Sequence, residues 1–485
     1  MSRMLIKGGC VVTMDARLGE LPQGDVLIEN GRIAAIAPTL DAPAGADVID
    51  AAGMIVMPGL INGHLHTWQS ALRGIAGDWT VAQYMQAMHR GLATLYRPED
   101  IYIANLVGAL NQINNGATTL VDWCHNNPTP AHTDAAIDGL ADAGIRAVFL
   151  HGSPKPDPKP GQKHFSEIPM PRAEVERLRK GRFASDDGLL TFGLAILGPY
   201  YSVWDVTRAD VALANELDLI CSMHVGGGTP MTPDGFERLA SEGLIKSNLN
   251  VVHGNDIAPA TVGRIVERGG TFTTTAEIEL QMGYGHPVTG HLHALGAPLS
   301  IGTDVEAASR GDMFTAMRVT LQHERNRAIT EILEKTGSRP EQMPITCRDA
   351  LAWTTTQGAA IHRLDRRTGS LTVGKAADII LLSARDITMF PVRDPVGSIV
   401  MHGGARGRRH RADRRQADEA RRQAALSGAA REVGGAAPFG GPHPDGLRLP
   451  AAEDGVNQPV FRAVDRRFAH PGSRRRLTEG DERTK

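Results

Sequence analysis

From Ile55 onward, apolar strand-like runs alternate with stretches long enough for a helix, and that alternation leaves this chain few folds to adopt. Eight runs read as strands: 55–62, 118–123, 146–151, 190–197, 219–224, 250–253, 271–275 and 298–303. Most of the spacers between them have helical length, among them 97–115, 133–143, 208–216 and 261–268. Wholly apolar strands separated by helices point to a parallel sheet covered on both faces. Eight such units over about 310 residues fit a (β/α)8 TIM barrel, somewhat above the usual length of about 250. Residues 154–190, opened by the proline-rich run SPKPDPKPGQ, read as an inserted loop.

The flanks follow another pattern. Short strand-like runs fill the first fifty residues, and Asn30-Gly31 between 25–29 and 32–36 is a strong hairpin signal. After the barrel, GSLTVGKAAD at 369–378 leads into a further strand at 379–382. Strands at both ends of a barrel suggest one small composite β-sandwich built from the N- and C-terminal segments. The expected division is 1–54 and 366–403 for the sandwich, 55–365 for the barrel, and 404–485 for a tail. That tail lacks Ile, Met, Tyr, Trp and Cys and carries 17 Arg and one Lys against 11 acidic residues. Such a composition cannot bury enough apolar surface to order itself. It reads as a disordered end or as the product of a reading-frame error; a basic, nucleic-acid-seeking tail is the third reading.

Charge and cysteine content narrow the class further. The formal net charge of the whole chain is −2, which argues against a polyanion binder, so no nucleic-acid partner is expected. No apolar run reaches the ~18 residues of a membrane span, and the N-terminus enters a strand-like pattern without a signal-peptide core. Cys10, Cys124, Cys221 and Cys347 are scattered, which suits reduced thiols and a cytoplasmic protein with no membrane partner. A soluble enzyme with a small-molecule substrate is the expected class, and a homo-oligomer is compatible with it.

The run PGLINGHLHT at 58–67 carries the main chemical signal. Residues i and i+2 of a strand share a face, so His64 and His66 point to one side. Neutral imidazole is a common zinc ligand. By itself the pair is a weak signal, and the second copy, His291 and His293, falls where a helix is expected and its members diverge. The company of the first pair is what counts. His224 closes strand five, His253 closes strand six and Asp304 follows strand eight in SIGTD. Any one of these suits a hydrogen-bonded core residue. Together they converge on the C-terminal rim, where barrel enzymes hold their chemistry.

These motifs resemble the amidohydrolase superfamily, most closely the aminohydrolases and chlorohydrolases acting on cytosine, adenosine-like and s-triazine rings. The resemblance spans roughly residues 4–402, from the N-terminal strands through PGLINGHLHT and SIGTD to GSLTVGKAADIILL. It implies that His64, His66, His224 and Asp304 bind one divalent metal ion, zinc first and iron second. It also places His253 over the reacting centre, where an imidazole can stabilise a tetrahedral adduct. Asp304 is expected to act as general base and then acid, on water activated by the ion. The reaction implied is hydrolysis of a non-peptide carbon–nitrogen (or carbon–chlorine) bond in a small nitrogenous compound, a heterocycle being the expected kind.

The chain departs from that pattern at strand five. Deaminases of this kind carry His-x-x-Glu there, whereas this sequence reads His224-Val225-Gly226-Gly227. Glycine cannot protonate a ring nitrogen, and the triple glycine suggests extra room beside the metal. Glu277, expected at the end of strand seven, is the replacement acid suggested by its place on the same rim; a solvated loop carboxylate is the plainer reading. Strand four ends without a lysine, so one metal is expected rather than a bridged pair. Trp68, Gln69, Tyr200 and Tyr201 are placed to line a substrate site, with Trp123, His125 and His151 as weaker members. Two alternatives stay open: a hydrolase of linear or cyclic amides, ureas or carbamates, and a catalytically inactive barrel acting as a scaffold.

Overall fold

The computed structural model describes residues 2–404 and the backbone of a short strand at 408–411. Five strands come first: β1 (Arg3–Val12), β2 (Glu20–Glu29), β3 (Arg32–Ala37), β4 (Asp47–Asp50) and β5 (Met54–Pro58). Eight follow: β6 (Leu60–Leu65), β7 (Ala117–Cys124), β8 (Arg146–Gly152), β9 (Leu190–Ile196), β10 (Ile220–Val225), β11 (Leu249–His253), β12 (Thr271–Thr274) and β13 (Leu299–Ile301). The last two are β14 (Ile379–Ser383) and β15 (Arg408–Arg411).

β6 through β13 pair in sequence order, every pair parallel, with a helix after most of the strands. This is the expected (β/α)8 barrel. Its strands are buried on both faces because helices cover the outside while side chains fill the inside. Along β7, Val121 and Trp123 belong to a compact inner cluster with Val148, Leu150, Ile220 and Val252. Their neighbours Leu120 and Cys124 join the larger outer core. That alternation follows from the two-residue repeat of a strand.

The remaining strands form one seven-stranded mixed sheet drawn from both ends of the chain, in the order β15-β14-β5-β1-β2-β3, with β4 on β1. It has its own core of Ile6, Val11, Val26, Ile33, Val56, Ile379 and Leu381. The β2–β3 hairpin turns at Asn30 and Gly31, whose φ values of 50° and 75° are those an Asn-Gly turn supplies.

The run 55–62, read above as one barrel strand, is two. Met54–Pro58 pairs with β1 and β14 in the small sheet, and the barrel opens only at Leu60. An apolar run long enough for two short strands carries no internal sign of where it changes sheets. The readings of the tail lie outside the described residues, apart from the backbone of β15 on β14. No helix among the described residues is long and apolar enough to cross a membrane.

Candidate active site

The barrel closes at the site itself. An isolated parallel bridge joins Leu65 to Asp304, and the His66 N–H donates to the Asp304 carbonyl at 2.8 Å. In return the N–H groups of Thr303 and Asp304 donate to the His64 carbonyl at 3.1 and 2.9 Å. The backbone bonds that join the first strand to the last therefore set His64, His66 and Asp304 side by side. Gly302 makes the close approach possible: a Cβ there would stand 2.6 Å from the His64 carbonyl oxygen and 2.7 Å from its nitrogen. Gly302→Ala is expected to cost about 3 kcal/mol, the upper part of the overpacking range, and to lower metal content with it. Thermal melting and metal analysis check this; an unchanged melting temperature would refute it.

His64 Nε2 lies 3.2 Å from Asp304 Oδ1, His66 Nε2 lies 3.4 Å from the same oxygen, and His224 Nε2 is 3.2 Å from His64 Nε2. The four donor atoms all fall within 4.8 Å of one another, and all four residues are buried. His66 donates from Nδ1 to the Trp123 carbonyl at 2.7 Å, which leaves a lone pair on Nε2. Burial, followed by the neighbouring imidazoles, lowers His66 to about 3 and His224 well below its ordinary value. Burial also lowers His64. The rings are therefore neutral, the form that binds metal. Burial by itself would raise Asp304, but the hydrogen bond from His64 and the surrounding imidazoles outweigh it and hold the carboxyl below its usual range. Three imidazoles and a carboxylate crowd together, with the Nε2 atoms of His64 and His224 facing each other at 3.2 Å. Tetrahedral ligands about 2.1 Å from a zinc ion stand about 3.4 Å apart, so this donor set fits one divalent cation.

His253 stands above the cluster, its Nε2 3.9 Å from Asp304 Oδ2. Its Nδ1 lies 3.1 Å from Glu279 Oε1 and 3.1 Å from Thr275 Oγ1. Glu279 is fully buried and also accepts from the Thr275 N–H at 2.7 Å and from Asn255 Nδ2 at 3.3 Å. Burial works against a charged His253, yet the Glu279 hydrogen bond and the charge of Asp304 prevail and raise its pKa. Both His253 (φ 69°) and Asp304 (φ 61°) hold left-handed backbone. That conformation costs a non-glycine residue roughly 1–3 kcal/mol and tends to gather at functional sites.

An open space of about 400 Å³ lies over these groups. Its lining includes Tyr84, His89, His125, Lys155, Tyr201 and Tyr284 beside His66, His224, His253 and Asp304. Tyr201 lines the space as expected, and its hydroxyl donates to the Gly226 carbonyl at 2.7 Å. Burial raises the Tyr201 phenol to about 12, so it stays protonated. His125 also lines it, stacked on His66 with ring centroids 4.1 Å apart.

Other expected members stand elsewhere. Trp68 and Gln69 are fully buried behind the wall rather than on it. Trp68 Nε1 donates to His125 Nδ1 at 3.0 Å, and Gln69 Nε2 donates to the Tyr84 hydroxyl at 2.6 Å. They brace lining residues because the short helix Thr67–Leu72 turns their side chains back into the core. Tyr200 and His151 do not line the space either; His151 faces Thr133 Oγ1 at 3.4 Å. His291 and His293 sit on the helix Thr289–Ala294, away from the cluster.

Glu277 is likewise not brought to the cavity. It belongs to the helix Ala276–Gln281, and residues two apart on a helix diverge by about 200°. Glu279 takes the inward direction. Glu277 is raised to about 7 by burial and then by Asp312, and its Oε2 has no partner. Beside the triple glycine, Gly228 has open space around it, while Gly227 is approached from one side. Gly227 has φ 79°, and a Cβ there would meet Val81 Cγ1 at 3.0 Å, the Tyr284 hydroxyl at 3.6 Å and the Tyr201 hydroxyl at 3.7 Å.

Sequence reasoning missed Glu279, Tyr84, His89, Lys155 and Tyr284 because none of them ends a strand. Rim position was the one available signal for Lys155 and Tyr284, which lie in loops that follow β8 and β12. His89 comes from the segment Met85–Gly91, which no strand-based pattern marks.

Comparison with known proteins agrees with this geometry. A 5-methylthioadenosine/S-adenosylhomocysteine deaminase of Symbiobacterium thermophilum is 26% identical over 411 residues, covering 81% of this chain and 88% of its own. A 5'-deoxyadenosine deaminase of Methanothermobacter thermautotrophicus is 26% identical, covering 78% and 84%. Among solved structures, a zinc-bound atrazine chlorohydrolase of Arthrobacter aurescens superposes with a TM-score of 0.72 at 22% identity, over 82% of this chain and 91% of that one. A zinc-bound adenosine deaminase of Xanthomonas campestris gives 0.70 at 20% identity, over 88% and 98%. The Amidohydrolase family profile matches residues 55–404, and the chain belongs to that family.

Proposed function

We propose that this protein is a metal-dependent hydrolase of a non-peptide carbon–nitrogen bond in a small nitrogenous compound, with one divalent ion, zinc first, held by His64, His66, His224 and Asp304. The single observation that carries the reading is the convergence of those four buried donors beneath His253. A divalent ion bound there supplies Lewis acidity that makes water a nucleophile near neutral pH.

The chain's own groups do the rest. Asp304 turns Oδ1 toward His64 and His66, while Oδ2 faces His253. Oδ2 is thus placed to take a proton from the attacking water and return it to the departing nitrogen. Nε2 of His253, oriented through Nδ1 by Glu279, can donate to the oxygen that becomes negative as the carbon turns tetrahedral. Water and a carbon–nitrogen bond give a carbonyl product and an amine or ammonia.

The relatives' names point to an aminated ring as substrate. A second reading, hydrolysis of an amide, urea or carbamate, draws support from the lining. Asp304 is the one carboxylate that lines the cavity among the described residues, so no second carboxyl group stands there to protonate a ring. Metal analysis together with ammonia release from aminopyrimidines, adenosines, aminotriazines and simple amides tests both. About one equivalent of zinc with turnover of a ring amine is the expected result, and turnover of amides alone would favour the second reading. A metal-free protein that turns over none of them would leave the inactive scaffold.

A further inference from the structure

The wall of the cavity carries a cation that the reaction above does not use. Lys155, in the loop after β8, is only 5% exposed and lines the space over the metal-site residues. Its Nζ rests on two aromatic faces, 4.8 Å from the centroid of Tyr201 and 5.7 Å from that of Trp123. Among the described residues no carboxylate forms an ion pair with it. Asp304, the nearest in kind, is engaged by His64 and His66. An ion pair between Arg90 and Asp157 at 3.3 Å ties this loop to the segment that carries His89, so the lysine is delivered from a tethered position.

A buried ammonium without a counter-charge is expensive, and cation–π contact repays only part of the desolvation. Burial lowers Lys155 to about 8, opposed by the charge of Asp304. Three residues beyond His224, at the end of β10, the wall carries no acid. Gly227 occupies that position, where a Cβ would stand 3.0 Å from Val81 Cγ1 and in ordinary contact with the hydroxyls of Tyr284 and Tyr201. Tyr201 itself bridges the two features, donating to Gly226 at one end and offering its ring to Lys155. The cavity wall holds a positive group at Lys155 and no carboxylate besides Asp304 among the described residues.

We propose that Lys155 is the specificity-determining residue of this cavity, selecting a small substrate that carries a carboxylate or ring oxyanion. The proposal rests on reading the cavity as the substrate site of the hydrolase proposed above. It asks for a partner with a full negative charge, because such a group supplies the counter-charge that the fold withholds, through a charge-assisted hydrogen bond. A neutral ring of the same size gives no comparable return.

Benzoate and benzamide, alike in size and different by one charge, are suitable probes for titration calorimetry on the metal-loaded protein. Benzoate is expected to bind at least about tenfold more tightly than benzamide, a difference of about 1.4 kcal/mol. Lys155→Met should remove that preference, weakening benzoate by about tenfold while benzamide changes less than about twofold and the metal content stays the same. Lys155→Arg should keep the preference, which guards against a folding defect in the first variant. Benzoate binding unchanged in Lys155→Met would overturn the proposal, since the carboxylate would then be reaching the ion alone. Equal affinity for the two probes in the unaltered protein would overturn it as well. Failure of the hydrolase reading shows differently, as a protein without metal that releases no ammonia.

Discussion

Asp304→Asn is expected to lower kcat/KM by about 10³- to 10⁴-fold, on the order of 4–5 kcal/mol of transition-state stabilisation. On the proposed reading the side chain has two tasks, and the amide fails at both. One oxygen faces His64 and His66 as a metal donor, and the other faces His253 across the space where a proton has to move. Asparagine keeps the shape but brings no negative charge to three neutral imidazoles and cannot accept and return a proton. Metal content should therefore fall together with turnover, while the far-ultraviolet circular dichroism stays native. The left-handed φ of 61° is one that asparagine tolerates, so a folding defect is not the expected cause of the loss. Retention of activity within tenfold of the unaltered protein would mean that the proton moves through another group.

Glu279→Ala should show the second largest effect, a fall in kcat of about 10²-fold with KM changed little. On the proposed reading Glu279 does not reach the reacting atoms and acts through His253, as a positioning residue. Its carboxylate accepts from the Thr275 N–H and Asn255, and it faces His253 Nδ1. Truncation leaves a buried N–H without its partner, which costs about 1–3 kcal/mol of stability in addition to the catalytic loss. Glu279→Gln separates the two effects. The glutamine oxygen can still accept from Thr275, so the melting temperature should recover. The charge that raises the His253 pKa is gone, so kcat should remain depressed. Full rescue of kcat by glutamine would show that the contribution of Glu279 is structural alone.

Much of the barrel was legible because the evidence for it is local. An apolar run between helical spacers becomes a buried parallel strand whatever its partners, and the eight runs all lie on or overlap the observed strands. The same locality made His64, His66, His224, His253 and Asp304 stand out, since each lies at the end of an apolar run. The structure brings these five together, and the fold needs only strand order to do so. Where the reasoning depended on direction instead of position, it failed. Glu277 and Glu279 are both at the end of the seventh strand, yet a helix begins between strand and acid and turns only the second one toward His253. Trp68 and Gln69 follow the histidine pair directly, but a 3₁₀ turn folds them behind the wall that they were expected to form.

The sequence alone determined the barrel, its count of strands and the donor set, because period, burial and strand ends are written in neighbouring residues. Only the tertiary structure decided what stands opposite those donors. The closure of Leu65 on Asp304, the approach of Val81 to Gly227, and the entry of Lys155 from a proline-rich loop join residues up to hundreds of positions apart. Contacts of that range depend on how whole strands and loops pack around the barrel, and no short stretch of chain records them.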